Sequence, residues 1–402
     1  MSDSHTLLEF DESYFSYDEL FFSKTDFKGF IEYGNSVFQR VSDYSWNELK
    51  GSPHNIIRHE DMPKGVFFLF WKYLKENKPI CAFVKNKSKL GKYYWVLAIA
   101  MPVNNGFISV RIKPSGKIFE IAKGIYKEVL NNEKNNSVKP IDSAQFLMTK
   151  INELGYANYD LFMSEVLADQ IKLRCEKTQT LPHVSLQLIS DIKNQGTKVV
   201  TITQKILSTF AASRMVPLNL EIFSNNKGSQ GAQVAVVASH YQKDSVVISN
   251  EIKKFEKISG EVIAQITTSQ FFVSVAALLS ECLESLVSAS EENTHVNQQT
   301  NEIEILSSQY MSIAFSNVKS IDILVKEFIK TCDLLNQLGL GLELIRLKGK
   351  IELTQISNTS EALDMLEKLK LFQVALKHGL SEIRSSNNLI GRSAQEILKL
   401  LN

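Results

Sequence analysis

The stretch ICAFVKNKSKLGKYYWVLAIAMPVNNGFISVRIKPS, residues 80–115, decides the fold of the first part of the chain. It contains three runs rich in β-branched and aromatic residues, separated by LGK and NNG, which are typical hairpin turns. A short strand at residues 30–33 and a helix, VFFLFWKYLKEN, precede these runs, and the helix follows Pro63. Together they predict a small α+β domain, an antiparallel sheet with flanking short helices, of about 100 residues.

Composition places the whole chain among ordinary globular proteins. Its 402 residues are enough for two or three domains, with 44% hydrophobic and 22% charged residues. The 45 basic and 44 acidic residues nearly cancel, so no nucleic-acid partner is predicted. The four cysteines, at positions 81, 175, 282 and 332, form no CxxC pair, which favours reduced thiols and a cytoplasmic protein.

No membrane span is predicted either. The N-terminus, MSDSHTLLEFDESYF, is acidic and lacks the basic-then-apolar pattern of a signal sequence. The apolar stretch FFVSVAALL, residues 271–279, is about half the ~20 residues that a membrane-spanning helix needs.

The second part of the chain has a different composition. Seven of the eight prolines lie at or before residue 182, and long periodic stretches rich in Ser, Glu, Lys, Gln and Leu follow. The change predicts a linker at residues 126–143. Apolar residues then recur at helical spacing, at Ile248, Ile252, Phe255, Val262 and Ile266. Periodicity over ~60 residues implies a helix of roughly 90 Å, which needs partners in a bundle and favours a dimer.

The first domain resembles a PAS domain of the aerotaxis-receptor type. The resemblance lies in YGNSVFQRVSDYSWNELKGSPHNIIRHEDMP, in the tryptophan of FLFWKYL, in FVKNKSKLGKYYWV and in SVRIKP. It implies a PAS sensor domain over residues 18–125.

Residues 215–242, MVPLNLEIFSNNKGSQGAQVAVVASHYQ, resemble the hairpin tip of the chemoreceptor cytoplasmic domain. The resemblance implies an all-α helical hairpin over residues 144–292 with its tip near 215–240. Where that family has Glu-Ala-Ala-Arg, in the surface that grips the kinase, this chain has Phe223, Ser224, Asn225 and Asn226.

A further helical bundle is predicted over residues 293–402, with a second hairpin apex near 340–355. The spacing of Leu344, Ile345, Leu347 and Ile351 echoes that of Met215, Val216, Leu218 and Ile222, which indicates an internal repeat. Amphipathic helices also produce this spacing by chance.

The resemblance implies that the hollow of the PAS fold holds FAD non-covalently. Aromatic residues would form the walls, two asparagines would be amide partners, an arginine would meet the phosphates, and His and Asp would hold the loop or contact the cofactor. The matching positions are Asn35, Arg58, His59, Asp61, Phe67, Trp71, Asn86, Tyr93 and Trp95.

These residues also have structural interpretations, which leave an empty pocket, haem or another ligand as alternatives to FAD. Asp61 suits a helix cap, Trp71 suits a helix core, and Arg58 and His59 could form ion pairs on a solvated loop. Ile80 stands where the family commonly has tryptophan, which weakens stacking on a flavin by about 1 kcal/mol or more.

Two further kinds of site are not predicted. His54 and His59 lie five residues apart with no third soft ligand nearby, so no metal site is expected. No phosphate loop, nucleophile elbow or kinase motif is present in the sequence, so the chain is not expected to be an enzyme.

The resemblances imply a cytoplasmic PAS sensory transducer that senses redox state or oxygen through flavin and relays it through the coiled-coil part. Its implied partners are a second copy, joined through the bundle and the PAS domain, and the chemotaxis histidine kinase, its coupling protein or other chemoreceptors. The alternative is a ligand-free PAS scaffold that docks on PAS or chemotaxis proteins without controlling the kinase. The intact RHEDMP loop favours the sensor, and the altered tip favours the scaffold.

Overall fold

The computed structural model describes residues 12–288 and 294–400, which divide into two compact units. The first unit comprises Met1–Leu186 and Gln270–Ala314, and the second comprises Gln187–Ser269 and Phe315–Asn402.

The first unit is built on a five-stranded antiparallel sheet, so the predicted α+β fold is confirmed. The strands are β1 (Phe21–Thr25), β2 (Ile31–Gly34), β3 (Ile80–Lys87), β4 (Tyr93–Val103) and β5 (Gly106–Ile112), in the order β2-β1-β5-β4-β3. Strand β1 was not predicted. All five of its residues are buried, so it lacks the polar-apolar alternation that marks a half-exposed strand.

Short helices and a 3₁₀ turn cover one face of this sheet, and longer helices follow in the chain. They are α1 (Ser36–Ser42), α2 (Trp46–Leu49), a 3₁₀ turn (His54–Ile57), α3 (Lys64–Lys75), α4 (Gly116–Asn136), α5 (Pro140–Glu153) and α6 (Tyr159–Thr178). The predicted linker, 126–143, therefore lies within α4 and the start of α5.

Helix α4 holds the start of α3 in place. The buried carboxylate of Glu133 accepts a hydrogen bond from the backbone N–H of Gly65 at 3.2 Å and another from the hydroxyl of Ser143. The first N–H groups of a helix have no partner within the helix. The carboxylate of Glu133 therefore caps α3, although it lies on a different helix far away in the sequence.

The outer face of the sheet packs on α4 and α6. The ring of Phe119 lies 5.2 Å from that of Phe83 and 5.4 Å from that of Trp95. The hydroxyl of Tyr159 donates to the carbonyl of Cys81 at 3.0 Å. Both faces of the sheet are thus covered, which explains why its strands read as long apolar runs.

Five further helices, four of them of thirty residues or more, complete the described chain. They are α7 (Val184–Ser213), α8 (Val216–Asn226), α9 (Ala232–Ser288), α10 (Thr294–Leu353) and α11 (Ser360–Leu400). The end of α9 and the beginning of α10 share one hydrophobic core with the sheet domain, through residues that include Phe271, Leu279 and Ile303.

The second unit contains two antiparallel hairpins. The first reverses at a 3₁₀ turn, Gly228–Gly231, and the hydroxyl of Tyr241 donates across it to the carbonyl of Ser213 at 3.0 Å. The second reverses at residues 354–359, because α10 continues through most of the predicted apex region. Isolated glycines in that region are tolerated within the helix.

The two hairpins pack together as a four-helix bundle. Lys227 at the first turn donates to the carbonyl of Ser357 at the second, at 2.9 Å. Farther along, Phe255 packs on Phe328 with ring centroids 4.1 Å apart, and Phe210 packs on Phe372 at 5.2 Å. The predicted apolar seam of α9 is buried in this bundle. The long helices of the bundle therefore pack against other helices of the same chain.

One described segment, Gly228–Val287, is long and apolar enough by composition to cross a membrane. Its most apolar window has a mean hydropathy of 1.7, and 61% of that window is buried in the protein. The sequence prediction considered only a shorter stretch of this segment. Burial of this extent is also typical of the core helix of a bundle.

Candidate functional site

A cavity of about 180 Å³ lies between the sheet, the 3₁₀ turn and α3. Four aromatic side chains, Phe67, Phe70, Trp71 and Phe107, form much of its apolar wall. Its polar lining comes from Ser23, Thr25, Lys28, His54, Asn55, Arg58, Asn86, Ser109 and Arg111. Four of the nine site residues predicted from the sequence therefore line one cavity: Arg58, Phe67, Trp71 and Asn86.

Strand periodicity decides which sheet residues face this cavity. Along β4, Ala98 and Ala100 line it, and along β5 the alternate residues Phe107, Ser109 and Arg111 do so. Successive side chains of a strand point to opposite faces, so residues of the other parity face away.

Arg111 forms the polar end of the cavity. The residue is 4% exposed, and its Nη2 donates to Ser23 Oγ at 2.9 Å and lies 2.7 Å from His54 Nε2. A guanidinium can only donate, so Nε2 of His54 is the acceptor and the imidazole is neutral. Burial lowers the pKa of Arg111 to about 10.

His54 is held neutral by its surroundings. Its ring stacks on Phe38, with ring centroids 5.8 Å apart and the planes nearly parallel. Burial, and then the positive charges of Arg111 and Arg58, keep the pKa of His54 well below its usual 6.5.

Arg58 lies at the other polar position of the cavity. Its guanidinium carbon is 3.5 Å from the ring centroid of Phe67, a cation–π contact. The backbone of Arg58 forms an isolated bridge with that of Asn86 on β3, which fixes the loop against the sheet. Burial lowers the pKa of Arg58.

The two cavity arginines have no counter-ion in the part of the chain that the structure describes. Within the described ranges, no carboxylate lies within ion-pair distance of Arg58 or Arg111. Arg58 Nε, Arg111 Nη1 and Ser109 Oγ are buried without a hydrogen-bond partner. Buried charges and donors are normally paired, so the cavity is chemically suited to an anionic or electron-rich group that accepts these hydrogen bonds.

The other five predicted residues lie outside the cavity lining. The amide of Asn35 caps α1 by accepting from the N–H of Phe38 at 3.1 Å, and it also donates to the carbonyl of Leu20 at 2.7 Å. Both ends of that amide are thus engaged in holding the backbone.

His59 and Asp61 stabilise the loop on the outside. The backbone N–H of Asp61 donates to His59 Nδ1 at 3.1 Å, and its carboxylate pairs with Lys85 at 2.7 Å. The hydrogen bond from Lys85 is the first cause that lowers the pKa of Asp61, and burial lowers that of His59.

Tyr93 and Trp95 have the strand parity that faces away from the cavity. The ring of Tyr93 lies 6.5 Å from that of His59, and Trp95 packs on Phe119 and Tyr126 of α4. Ile80, at the position where an aromatic was expected, is fully buried but is not part of the cavity lining either.

Sequence reasoning missed Arg111, Ser109 and Ser23 as cavity residues. The signal was present in β5, where FISVRI alternates Phe107, Ser109 and Arg111 with aliphatic residues. A polar face on a strand in the middle of a sheet indicates an internal site. His54 was considered only as a metal ligand, and the described residues contain no cluster of three groups suited to a metal.

Comparison with known proteins agrees with this geometry. Residues 31–110 match a family model described as PAS fold. Residues 31–110 are a PAS domain. The aerotaxis receptor of Escherichia coli (strain K12) is 37% identical over 115 residues, which cover 27% of this chain and 23% of the receptor. The chain therefore spans about a quarter of the receptor's length, and the predicted aerotaxis-type PAS domain is confirmed.

The lining of the PAS cavity fits the ring of a flavin. Such a ring needs flat apolar walls and hydrogen bonds along a polar edge, and the four aromatic residues and the unpaired donors provide both. The volume of about 180 Å³ is below the several hundred Å³ of typical ligand pockets. The cavity would therefore enclose the ring system rather than a whole dinucleotide.

Proposed function

We propose that the protein is a cytoplasmic PAS sensory transducer whose PAS cavity binds FAD and whose helices carry the signal to a protein partner. The observation that carries this proposal is a pair of cavity arginines, half-buried Arg58 and buried Arg111, that have no counter-ion among the described residues and lie in a cavity with aromatic walls. The similarity to the aerotaxis receptor over the PAS region supports a sensory role. An enzyme is not proposed, because the one hydroxyl beside a histidine in the described cavity lining, Ser23 Oγ at 3.4 Å from His54 Nε2, shares that nitrogen with Arg111, which occupies it as a donor at 2.7 Å.

Bound FAD would supply a group whose charge and hydrogen bonding change with redox state. The chain's own residues determine how such a change is detected. Arg111 and Arg58 supply fixed donors, and neutral His54 accepts the hydrogen bond of Arg111 at Nε2. A change in the hydrogen bonds that Arg111 donates to the bound group would alter the hydrogen bond from Arg111 to Ser23 on β1.

Strand β1 also connects to the helices of the first unit. Lys24 follows Ser23, is 7% exposed, and donates to both carboxylate oxygens of Glu302 on α10, at 2.9 and 2.7 Å. Ser23 faces the cavity and Lys24 faces α10, because successive residues of a strand point to opposite sides. We infer that a shift of β1 changes the position of α10, which is the first step of the relay.

The absorbance spectrum of the purified full chain tests the proposal. Flavin bands that dithionite bleaches would support it, and reconstitution with FAD should restore them to stripped protein. Arg58→Gln should lower FAD retention at least about tenfold, since a charge-assisted hydrogen bond is lost. Arg40→Gln, a control on an arginine with a side chain 52% exposed, should not change retention. A chain that stays colourless with added FAD refutes the flavin part, and a Soret band would indicate haem.

The hairpin tip gives the ligand-free scaffold a specific basis as the second candidate function. Phe223 and Ser224 are buried, and the Ser224 hydroxyl donates to the carbonyl of Gly231 at 2.9 Å. They serve the turn itself, whereas Asn225 and Asn226 are exposed and uncharged. A pull-down with a chemotaxis kinase and its coupling protein, followed by a kinase assay, decides between the candidates: capture with a change in kinase activity supports the transducer, and capture without such a change, or no capture by competent partners, supports the scaffold. A homodimer is part of both candidates.

A further inference from the structure

Helix α10 carries two apolar faces on opposite sides. Its inner face, with Leu335, Leu342 and Leu353, is buried in the four-helix bundle. Its outer face presents Leu340, Leu344, Leu347 and Ile351, which are 53%, 71%, 44% and 62% exposed. We call these four residues the α10 outer stripe. At about 100° per residue the stripe lies diametrically opposite the buried face, so the bundle does not use it.

The spacing of the stripe is that of a coiled-coil seam. Its residues are separated by four, three and four positions, the alternation of heptad a and d positions. If Leu344 and Ile351 are a positions and Leu347 is d, then Glu343 is a g position and Lys348 is the next e position. In a parallel two-stranded coil, g of one helix faces the following e of its partner.

The charges beside the stripe fit a second copy of the same helix. Glu343 and Lys348 are exposed, and neither has an ion-pair partner in the described part of the chain. Five residues apart on one helix, they point in different directions and do not face each other. Across a parallel two-fold axis, Glu343 of each copy meets Lys348 of the other, which gives two symmetric pairs.

A similar stripe on α8 lacks this complementarity. Met215, Leu218 and Ile222 have the same spacing as Leu344, Leu347 and Ile351, and they are 52%, 47% and 52% exposed. The flanking residues at the equivalent g and e positions are Arg214 and Asn219, which cannot form an ion pair. The α8 stripe is therefore a matched control within the same chain.

We propose that two copies of the chain associate in parallel through the α10 outer stripe, with Glu343 and Lys348 pairing across the two-fold axis. This deepens the homodimer part of the proposed function and does not depend on flavin. The stripe exposes an apolar patch of a few hundred Å², roughly half of what each side of a standard interface buries. Because this area is smaller than that of a standard stable interface, we expect a reversible dimer whose population depends on protein concentration.

Charge reversal tests the pairing. In sedimentation equilibrium of the full chain, Glu343→Lys and Lys348→Glu should each raise the dimer dissociation constant roughly tenfold or more, because like charges then face each other twice. The double variant should return it close to the wild-type value. Circular dichroism checks that the variants, all at exposed positions, keep their helices.

Cross-linking tests the location. Under mild oxidation, Leu347→Cys should form a disulfide-linked dimer across the two-fold axis, whereas Leu218→Cys on α8 and the wild type should not. Dimerisation that is unaffected by charge reversal, or cross-linking of Leu218→Cys alone, would refute this surface while leaving the homodimer in place. A wild-type chain that is monomeric throughout would refute both.

Discussion

Replacing Arg111 with methionine should stabilise the ligand-free PAS domain and weaken ligand binding. Arg111 is 4% exposed, and burial lowers its pKa from 12.5 to about 10. The difference of about 2.5 pH units corresponds to about 3 kcal/mol, at 1.36 kcal/mol for each unit. Because the folded pKa is the lower one, this cost is fully present at every pH below about 10.

The stabilisation expected from removing the buried charge of Arg111 is partly offset by the loss of its hydrogen bonds. Arg111 donates to Ser23 and to His54, and each bond contributes on the order of 1 kcal/mol. Neither partner is left alone, because Ser23 Oγ lies 3.4 Å from His54 Nε2 and can donate to it. We therefore expect Arg111→Met to raise the free energy of unfolding by about 1–2 kcal/mol in the absence of ligand.

Tryptophan fluorescence gives a local readout for this measurement. All three tryptophans, Trp46, Trp71 and Trp95, lie in the PAS domain, so urea unfolding followed by their emission reports on that domain. Arg40→Met, at an exposed arginine, should change stability by less than about 0.5 kcal/mol. If Arg111→Met destabilises the ligand-free domain by more than about 1 kcal/mol, the guanidinium has a structural role and our reasoning is wrong.

Three further substitutions, each compared with a control, test the roles assigned to residues in and beside the cavity. Trp71→Leu should lower FAD retention at least about tenfold in equilibrium dialysis while Trp95→Leu leaves it unchanged, because only Trp71 lines the cavity; equal losses would contradict this. Below pH 6.5 the wild type should lose stability relative to His54→Gln, by up to about 1 kcal/mol for each pH unit, because the unfolded chain takes up the proton first; parallel pH curves in urea unfolding would argue against a neutral His54. Glu302→Gln should destabilise the first unit by about 1–3 kcal/mol, because buried Lys24 then keeps only the long 3.9 Å ion pair with Glu32, whereas the exposed Glu304→Gln should have little effect; similar thermal midpoints for both variants would refute the role of the Lys24–Glu302 pair.

The regular parts of the PAS domain could be predicted from the sequence. The runs that became β3, β4 and β5 are apolar, and LGK and NNG between them set their turns. Strand β1 was missed because FFSKT is short and buried on both faces, so it shows no periodicity. Its place between β2 and β5 depends on pairing with residues far away in sequence.

Four cavity residues could be identified from sequence because the motif around Arg58 and the aromatic helix with Trp71 is long and specific. Trp95 was placed in the site because it matches a position of the family's motif, FVKNKSKLGKYYWV, in the sequence. Its odd position on β4 directs it to the outer face, and only the observed register shows which parity faces inward. Arg111 was overlooked because a single cation in an apolar strand can be assigned to an internal site only when its neighbours across the sheet are known.

The first unit is not continuous in sequence, and this limits how the sensor can be separated or exchanged. Residues 270–314 return to it after an excursion of more than eighty residues through the second unit. A truncation at residue 186 would remove Phe271, Leu279 and Ile303 from its core, and Glu302 from buried Lys24. We expect a fragment that ends there to be poorly soluble. Grafting the PAS domain onto another signalling domain requires residues up to 186 and residues 270–314 to be moved together.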